Sequence, residues 1–175
     1  MKKNIAILKK ELLEELIKIV IIVIAIKIFI TYGLPIFGIQ DITVIGSESM
    51  IHGDIWKIKF KTIFNNTLPQ YFPFEDGLYP GDIVVVMKVK NPCIDIQKYD
   101  VIQFEVSKGT RIVHRVIKKI YLNNNTCYFV TQGDNNVGSL PWEVKIDKNK
   151  VRGKVILRIP GLGYPRYLIY KILGI

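Results

Sequence analysis

Ser47 and Ser49 stand two apart in Gly46-Ser47-Glu48-Ser49-Met50, a few residues beyond a long apolar segment, and the sequence holds only two histidines, His52 and His114. A serine hydroxyl is a weak nucleophile. It needs a base within hydrogen-bond reach and donors for the oxyanion that grows on the attacked carbonyl. Period-two alternation through Thr110-Arg-Ile-Val-His-Arg-Val-Ile117 puts His114 on one face with Ile112 and Val116. On so apolar a face an imidazole is either a hydrogen-bonded core residue or a base kept neutral for proton abstraction. His52, three residues after Ser49, reads as a surface or turn residue. Gly133-Asp134-Asn135-Asn136 and Pro80-Gly81-Asp82 read first as turns, because Gly and Asn tolerate positive φ and Asp bonds its own backbone. The chemistry on offer is hydrolysis by a serine nucleophile close to a membrane.

The element that places the serines there is the apolar run from about Leu16 to Phe37, long enough as a helix to span roughly 30 Å of hydrocarbon. Lys27 near its middle should cost about 2.5–3.5 kcal/mol, which the surrounding Ile, Val, Leu and Phe offset at roughly 0.3–0.6 each. Lys18 can snorkel to the headgroups, and Tyr32 and Pro35 suit the far interface. No small-x-small cleavage site follows, so an uncut anchor is expected. Lys2, Lys3, Lys9 and Lys10 precede the run and should stay cytoplasmic, with everything after Gly38 outside a cell membrane crossed once. The expected organisation is a cytoplasmic segment 1–15, an anchor 16–38 and an extracytoplasmic domain 39–175. Hydrophobic residues at 49% and a mean hydropathy of +0.24 suit one span plus one compact domain.

That domain reads as mainly β. Asp82–Lys90, Tyr99–Val106, Thr110–Tyr121, Cys127–Thr131 and Val151–Ile159 are rich in β-branched and aromatic residues and separated by Pro-Gly, Lys-Gly and Asn-rich breaks, which implies antiparallel pairing. Residues 51–78 look irregular and carry Trp56, Phe60, Phe64, Tyr71, Phe72 and Phe74, as an insertion with its own small core would. The tail from Tyr164 is too short to span and is expected to dock or to lie in an interface. Cys93 and Cys127 lack metal-ligand spacing, and a disulfide between them is open to them outside the cytoplasm. Asn65-Asn66-Thr67 and Asn124-Asn125-Thr126 match the glycosylation sequon, a frequent chance match. A formal charge of +10 without a basic run or stacking motif argues for anionic lipid rather than nucleic acid.

In this order, the anchor, Ser-x-Ser-Met, the Gly-Asp strand, the His-Arg-Val strand and Gly-Asp-Asn resemble type I signal peptidases of the archaeal and endoplasmic-reticulum branch, over the anchor and most of residues 42–159. The resemblance implies a signal-peptidase-like antiparallel β catalytic domain that removes signal peptides from exported preproteins, without metal or cofactor and with the export translocon as a possible neighbour. It maps Ser49 onto the nucleophile, Ser47 onto an oxyanion-hole hydroxyl and His114 onto the base that replaces the bacterial lysine. Asp134 alone matches a family acid and is taken as the triad carboxylate, with Glu143 and Asp147 as alternatives, because the aspartate that relatives often carry six residues further on is Leu140 here. Two other departures stand out. Ile51-His52 opens the insertion where many relatives have a proline, and Glu48 replaces the usual glycine, which requires its side chain to point to solvent. The other functions considered are a self-cleaving Ser-Lys protease of the same fold and a non-catalytic membrane-tethered binding domain.

Overall fold

A computed structural model of the chain describes residues 2–123 and 126–174; Asn124 and Asn125 of the second sequon lie outside them. The chain forms two compact units, one up to Gly38 and one from Ile39.

The first unit is helical: α1 (Lys2–Ile28), a π turn (Phe29–Gly33) and α2 (Leu34–Ile36). Pro35 has no N–H to continue the i→i−4 ladder, and just before it Leu34 N reaches back five residues to Phe29 O. Within it, Lys10–Ile36 is long and apolar enough to cross a membrane, and its Ile, Val and Leu side chains from Leu12 to Ile30 are exposed all round. The helix begins well before the expected anchor boundary at residue 16.

The second unit is built on one seven-stranded sheet in the order β1-β2-β7-β3-β4-β5-β6, every pair antiparallel. The strands are β1 (Ile39–Val44), β2 (Ile83–Met87), β3 (Val101–Ser107), β4 (Thr110–Asn123), β5 (Thr126–Gln132), β6 (Ile146–Asp147) and β7 (Val151–Ile159). Short helices α3 (Asp54–Thr62), α4 (Pro92–Asp95) and α5 (Tyr164–Leu173) join or flank them. Alternation gives each long strand two uses. Ile102, Phe104, Val116 and Phe129 pack into one cluster with Ile96 and the Cys93–Cys127 disulfide. Val84, Val86, Val101 and Val155 pack into a second with Met50 and Leu78.

The segment 51–78 is less irregular than its composition suggests. It contains α3, whose Trp56 is buried against His52, Phe60, Phe64 and Phe72. Helical spacing of four brings Trp56 and Phe60 to one side, Phe64 joins them just past the helix end, and that aromatic group closes over β4 at Arg115, whose guanidinium lies 3.9 Å from the centre of the Phe72 ring.

Candidate active site

Ser49 sits in a one-turn 3-10 helix, Glu48–Met50, immediately after the stretch that leaves β1. Two loops hold this turn by its carbonyls. Asn135 N donates to Ser49 O at 2.8 Å, and Leu78 N donates to Met50 O at 2.9 Å. Gly133 is required for the first contact, because a Cβ there would lie 2.6 Å from Ser49 O. Glu48 is exposed, as its place between the serines demands.

His114 is delivered by β4, buried, with Nε2 2.8 Å from Ser49 Oγ. Its Nδ1 lies 2.5 Å from Glu143 Oε1. Glu143, fully buried, ends a 3-10 turn that starts at Pro141, and its carboxylate also accepts from Thr131 Oγ1 at 3.0 Å and from Leu140 N at 2.8 Å. Burial by itself would raise the Glu143 pKa, but the bonds from His114, Leu140 and Thr131 outweigh it and hold the group below its ordinary value. An ionised Glu143 can only accept, so Nδ1 carries the imidazole proton and Nε2 is left to accept from the Ser49 hydroxyl. Ser47 Oγ lies 3.1 Å from Ser49 Oγ, exposed at the same mouth.

Asp134 does not meet His114, which corrects its assignment as the triad acid. Its carboxylate is occupied by Arg115, with Nε at 2.8 Å and Nη2 at 2.7 Å, and by His52 Nε2 at 3.1 Å. The reason is strand alternation: Arg115 follows His114 in β4 and projects to the other face, where the Gly-Asp-Asn turn meets it. Burial opposes the charge on Asp134, yet the Arg115 and His52 bonds lower its pKa below the usual carboxylate value. Asp147 is also elsewhere, accepting from Asn149 N at 2.8 Å to cap the turn before β7.

His52 is likewise not a surface residue. Its side chain is 9% exposed and stacks on Trp56 at 3.9 Å between ring centres, joining the insertion to Asp134. Lys59 of α3 adds a second tie, donating to Gly133 O at 3.2 Å and Asp134 O at 3.1 Å. Burial lowers its pKa, against the pull of Asp134 and Glu143. The insertion therefore braces the loop that holds the Ser49 turn.

A cleft of about 600 Å³ opens beside Ser49 and His114, walled by Thr43–Ser47 on one side and by Arg111–Val113 on the other. Gln103 is buried at its lining, donating Nε2 to Asp41 at 2.8 Å while its Oε1 has no hydrogen-bond partner. Among the described residues, no group of three or more His, Cys, Asp or Glu is arranged to hold a metal ion.

No family model matches the chain. It is similar to an uncharacterized protein of Methanocaldococcus jannaschii, 31% identical over 114 residues, which are 62% of this chain and 54% of that protein. The chain thus spans about half the length of this curated relative.

Proposed function

We propose that this chain is a membrane-anchored serine endopeptidase of the signal-peptidase kind. The observation that carries the reading is the continuous relay Ser49 Oγ to His114 Nε2, 2.8 Å, and His114 Nδ1 to Glu143 Oε1, 2.5 Å. His114 takes the Ser49 proton as Oγ attacks the carbonyl carbon, and Glu143 holds the imidazole in the required tautomer and stabilises the cation that forms. The tetrahedral oxyanion is met by Ser47 Oγ and by the backbone N–H of Ser49. As it collapses, His114 returns the proton to the leaving amine; water, activated by the same base, then frees the acyl group from Ser49.

The cleft favours an extended peptide. One laid between Thr43–Gly46 and Arg111–Val113 would present its backbone N–H and C=O groups to these walls. Val44, Ile45, Ile112 and Val113 give the cleft an apolar lining, which suits the small apolar side chains that precede the cut in signal peptides. The helix ahead of β1 favours a membrane-borne preprotein as substrate. A histidine rather than a lysine beside Ser49 speaks against the Ser-Lys alternative.

The test is to incubate the detergent-solubilised chain with a preprotein carrying an Ala-x-Ala site. Cleavage by the native chain and none by a folded Ser49→Ala variant is expected. Equal cleavage by both overturns the proposal, and binding without cleavage by either returns the non-catalytic binding domain.

A further inference from the structure

The C-terminal helix α5 presents two unlike faces. Tyr167 and Tyr170 are half-buried, and Tyr170 reaches the lining of the Ser49–His114 cleft. On the opposite face Leu168, Ile169, Ile172 and Leu173 form a stripe at three- and four-residue spacing and stand exposed, Ile169 at 55% and Ile172 at 80%. The helix of a globular domain ordinarily turns such a stripe to the core. Here the tyrosine face docks and the apolar stripe faces out.

That orientation is built in. Gly163 N donates to Gly81 O at 2.8 Å, and Gly161 N donates to Asp82 Oδ1 at 3.0 Å. Gly81 has φ +89°, and a Cβ there would come within 2.7 Å of the Tyr164 side chain. Asp82 is buried and also accepts from Arg158 Nε at 2.6 Å. The start of α5 is thereby fastened to the Pro80-Gly81-Asp82 turn beside β1, and the stripe cannot roll inward.

Charge and connectivity identify what the stripe meets. At about 100° per residue, Arg166 and Lys171 fall on opposite borders of the stripe; Arg166 Nε also donates to Tyr170 Oη at 2.7 Å. An apolar arc bordered by cations and tyrosines is suited to the plane of a bilayer interface with anionic headgroups. The same chain supplies a helix fit to cross a membrane that ends at Ile36, and β1, against which α5 packs, begins at Ile39. A bilayer is what the chain's own connectivity brings to this strand.

We propose that α5 is an interfacial helix, with Leu168, Ile169, Ile172 and Leu173 among the upper acyl chains and Arg166 and Lys171 at anionic headgroup phosphates. This contact does not depend on the peptidase reading. One consequence does: with Tyr170 in the cleft lining, lipid contact through α5 holds the mouth of the catalytic cleft at the membrane surface.

The test uses the full chain in nanodiscs of phosphatidylcholine and phosphatidylglycerol. Cys93 and Cys127 remain joined, and an environment-sensitive fluorophore is placed on a single new thiol, Ile172→Cys, or for comparison Lys108→Cys on the exposed turn between β3 and β4. At position 172 the expected result is blue-shifted emission, loss of quenching by aqueous iodide and strong quenching by lipids with a nitroxide high on the acyl chain. The label at 108 should behave in the opposite way, and adding Leu168→Glu with Ile169→Glu should return the 172 label to water. Iodide quenching at 172 equal to that at 108 overturns the proposal. So does a 172 label shielded from both iodide and nitroxide lipid, which would place a second copy or another protein on the stripe. The readout is depth, not cleavage, so the failure of one reading is distinguishable from the failure of the other.

Discussion

Glu143 and Asp134 are both buried carboxylates held below their ordinary pKa, and they do different work because one faces an imidazole and the other a guanidinium. Glu143→Gln keeps the volume and most of the packing but no longer fixes the His114 tautomer, so kcat for preprotein cleavage should drop by about 10⁴-fold with the fold retained. Asp134→Ala leaves Arg115 buried without its counter-charge and should cost about 3–5 kcal/mol in urea unfolding. If Asp134→Ala instead abolishes cleavage at unchanged stability, the roles are reversed. Acid gives a second check. With both folded pKa values depressed, the unfolded chain binds more protons as pH falls through the carboxylate range, so stability rises with pH there. The contribution is complete above the unfolded values of about 4 and is lost as pH drops through the lower folded ones. Urea midpoints followed downward from neutral pH should therefore fall in that window, and Asp134→Asn should flatten the decline; a slope unchanged by the substitution would remove the Arg115 pair as its source.

At the scale of elements, the five long β segments were legible because β-branched runs punctuated by Pro-Gly and Lys-Gly leave little else to form. β1 was not: Ile39-Gln-Asp-Ile-Thr-Val44 follows the apolar helix so directly that its pattern merges with the run before it. β6 is two residues long and has no periodicity to read. Helix α3 did leave a signal, the four-residue spacing of Trp56, Phe60 and Phe64, obscured by the polar and Pro-rich sequence after it. Ser49 and His114 were legible as candidates because few residues of their kind exist. The choice of acid was not, since Asp134, Glu143 and Asp147 all fall between the end of β5 and the start of β7, and only the tertiary path of that stretch decides which one turns toward β4. The insertion then carries its own prediction. Lys59→Met removes a half-buried cation that ties α3 to the carbonyls of Gly133 and Asp134, and should cost about 1.5–3 kcal/mol, as for hydrogen bonds to charged groups. Thermal melts that match the native chain would show that α3 braces nothing.

In the molecule as a whole, the mainly antiparallel sheet and the membrane-compatible helix agree with what composition and patterning imply. The Cys93–Cys127 pair links α4 to β5 across a separation of 34 residues, beside the cluster formed by Ile102, Phe104 and Phe129. Closing a loop of that length should stabilise the domain by about 3–4 kcal/mol through the unfolded chain. Cys93→Ser with Cys127→Ser should lower the urea midpoint accordingly, and so should reductant on the native chain but not on the double variant. A reductant effect of the same size on both would locate the loss outside this bond. A domain that relies on the bond is best matured where thiols oxidise.

His114 and Arg115 are neighbours in β4 yet serve opposite faces, one the relay and the other the Asp134 pair. This makes the strand intolerant of length change. Deleting Val113 would move every following side chain across the sheet, setting the Arg115 guanidinium beside Ser49 and the Val116 side chain beside Asp134, so that the Ser49–His114 contact and the buried ion pair fail in one step. Insertions and deletions in descendants of this sequence are therefore expected to collect in the Lys108-Gly109 turn, outside β4, where added residues lengthen a hairpin without exchanging its faces.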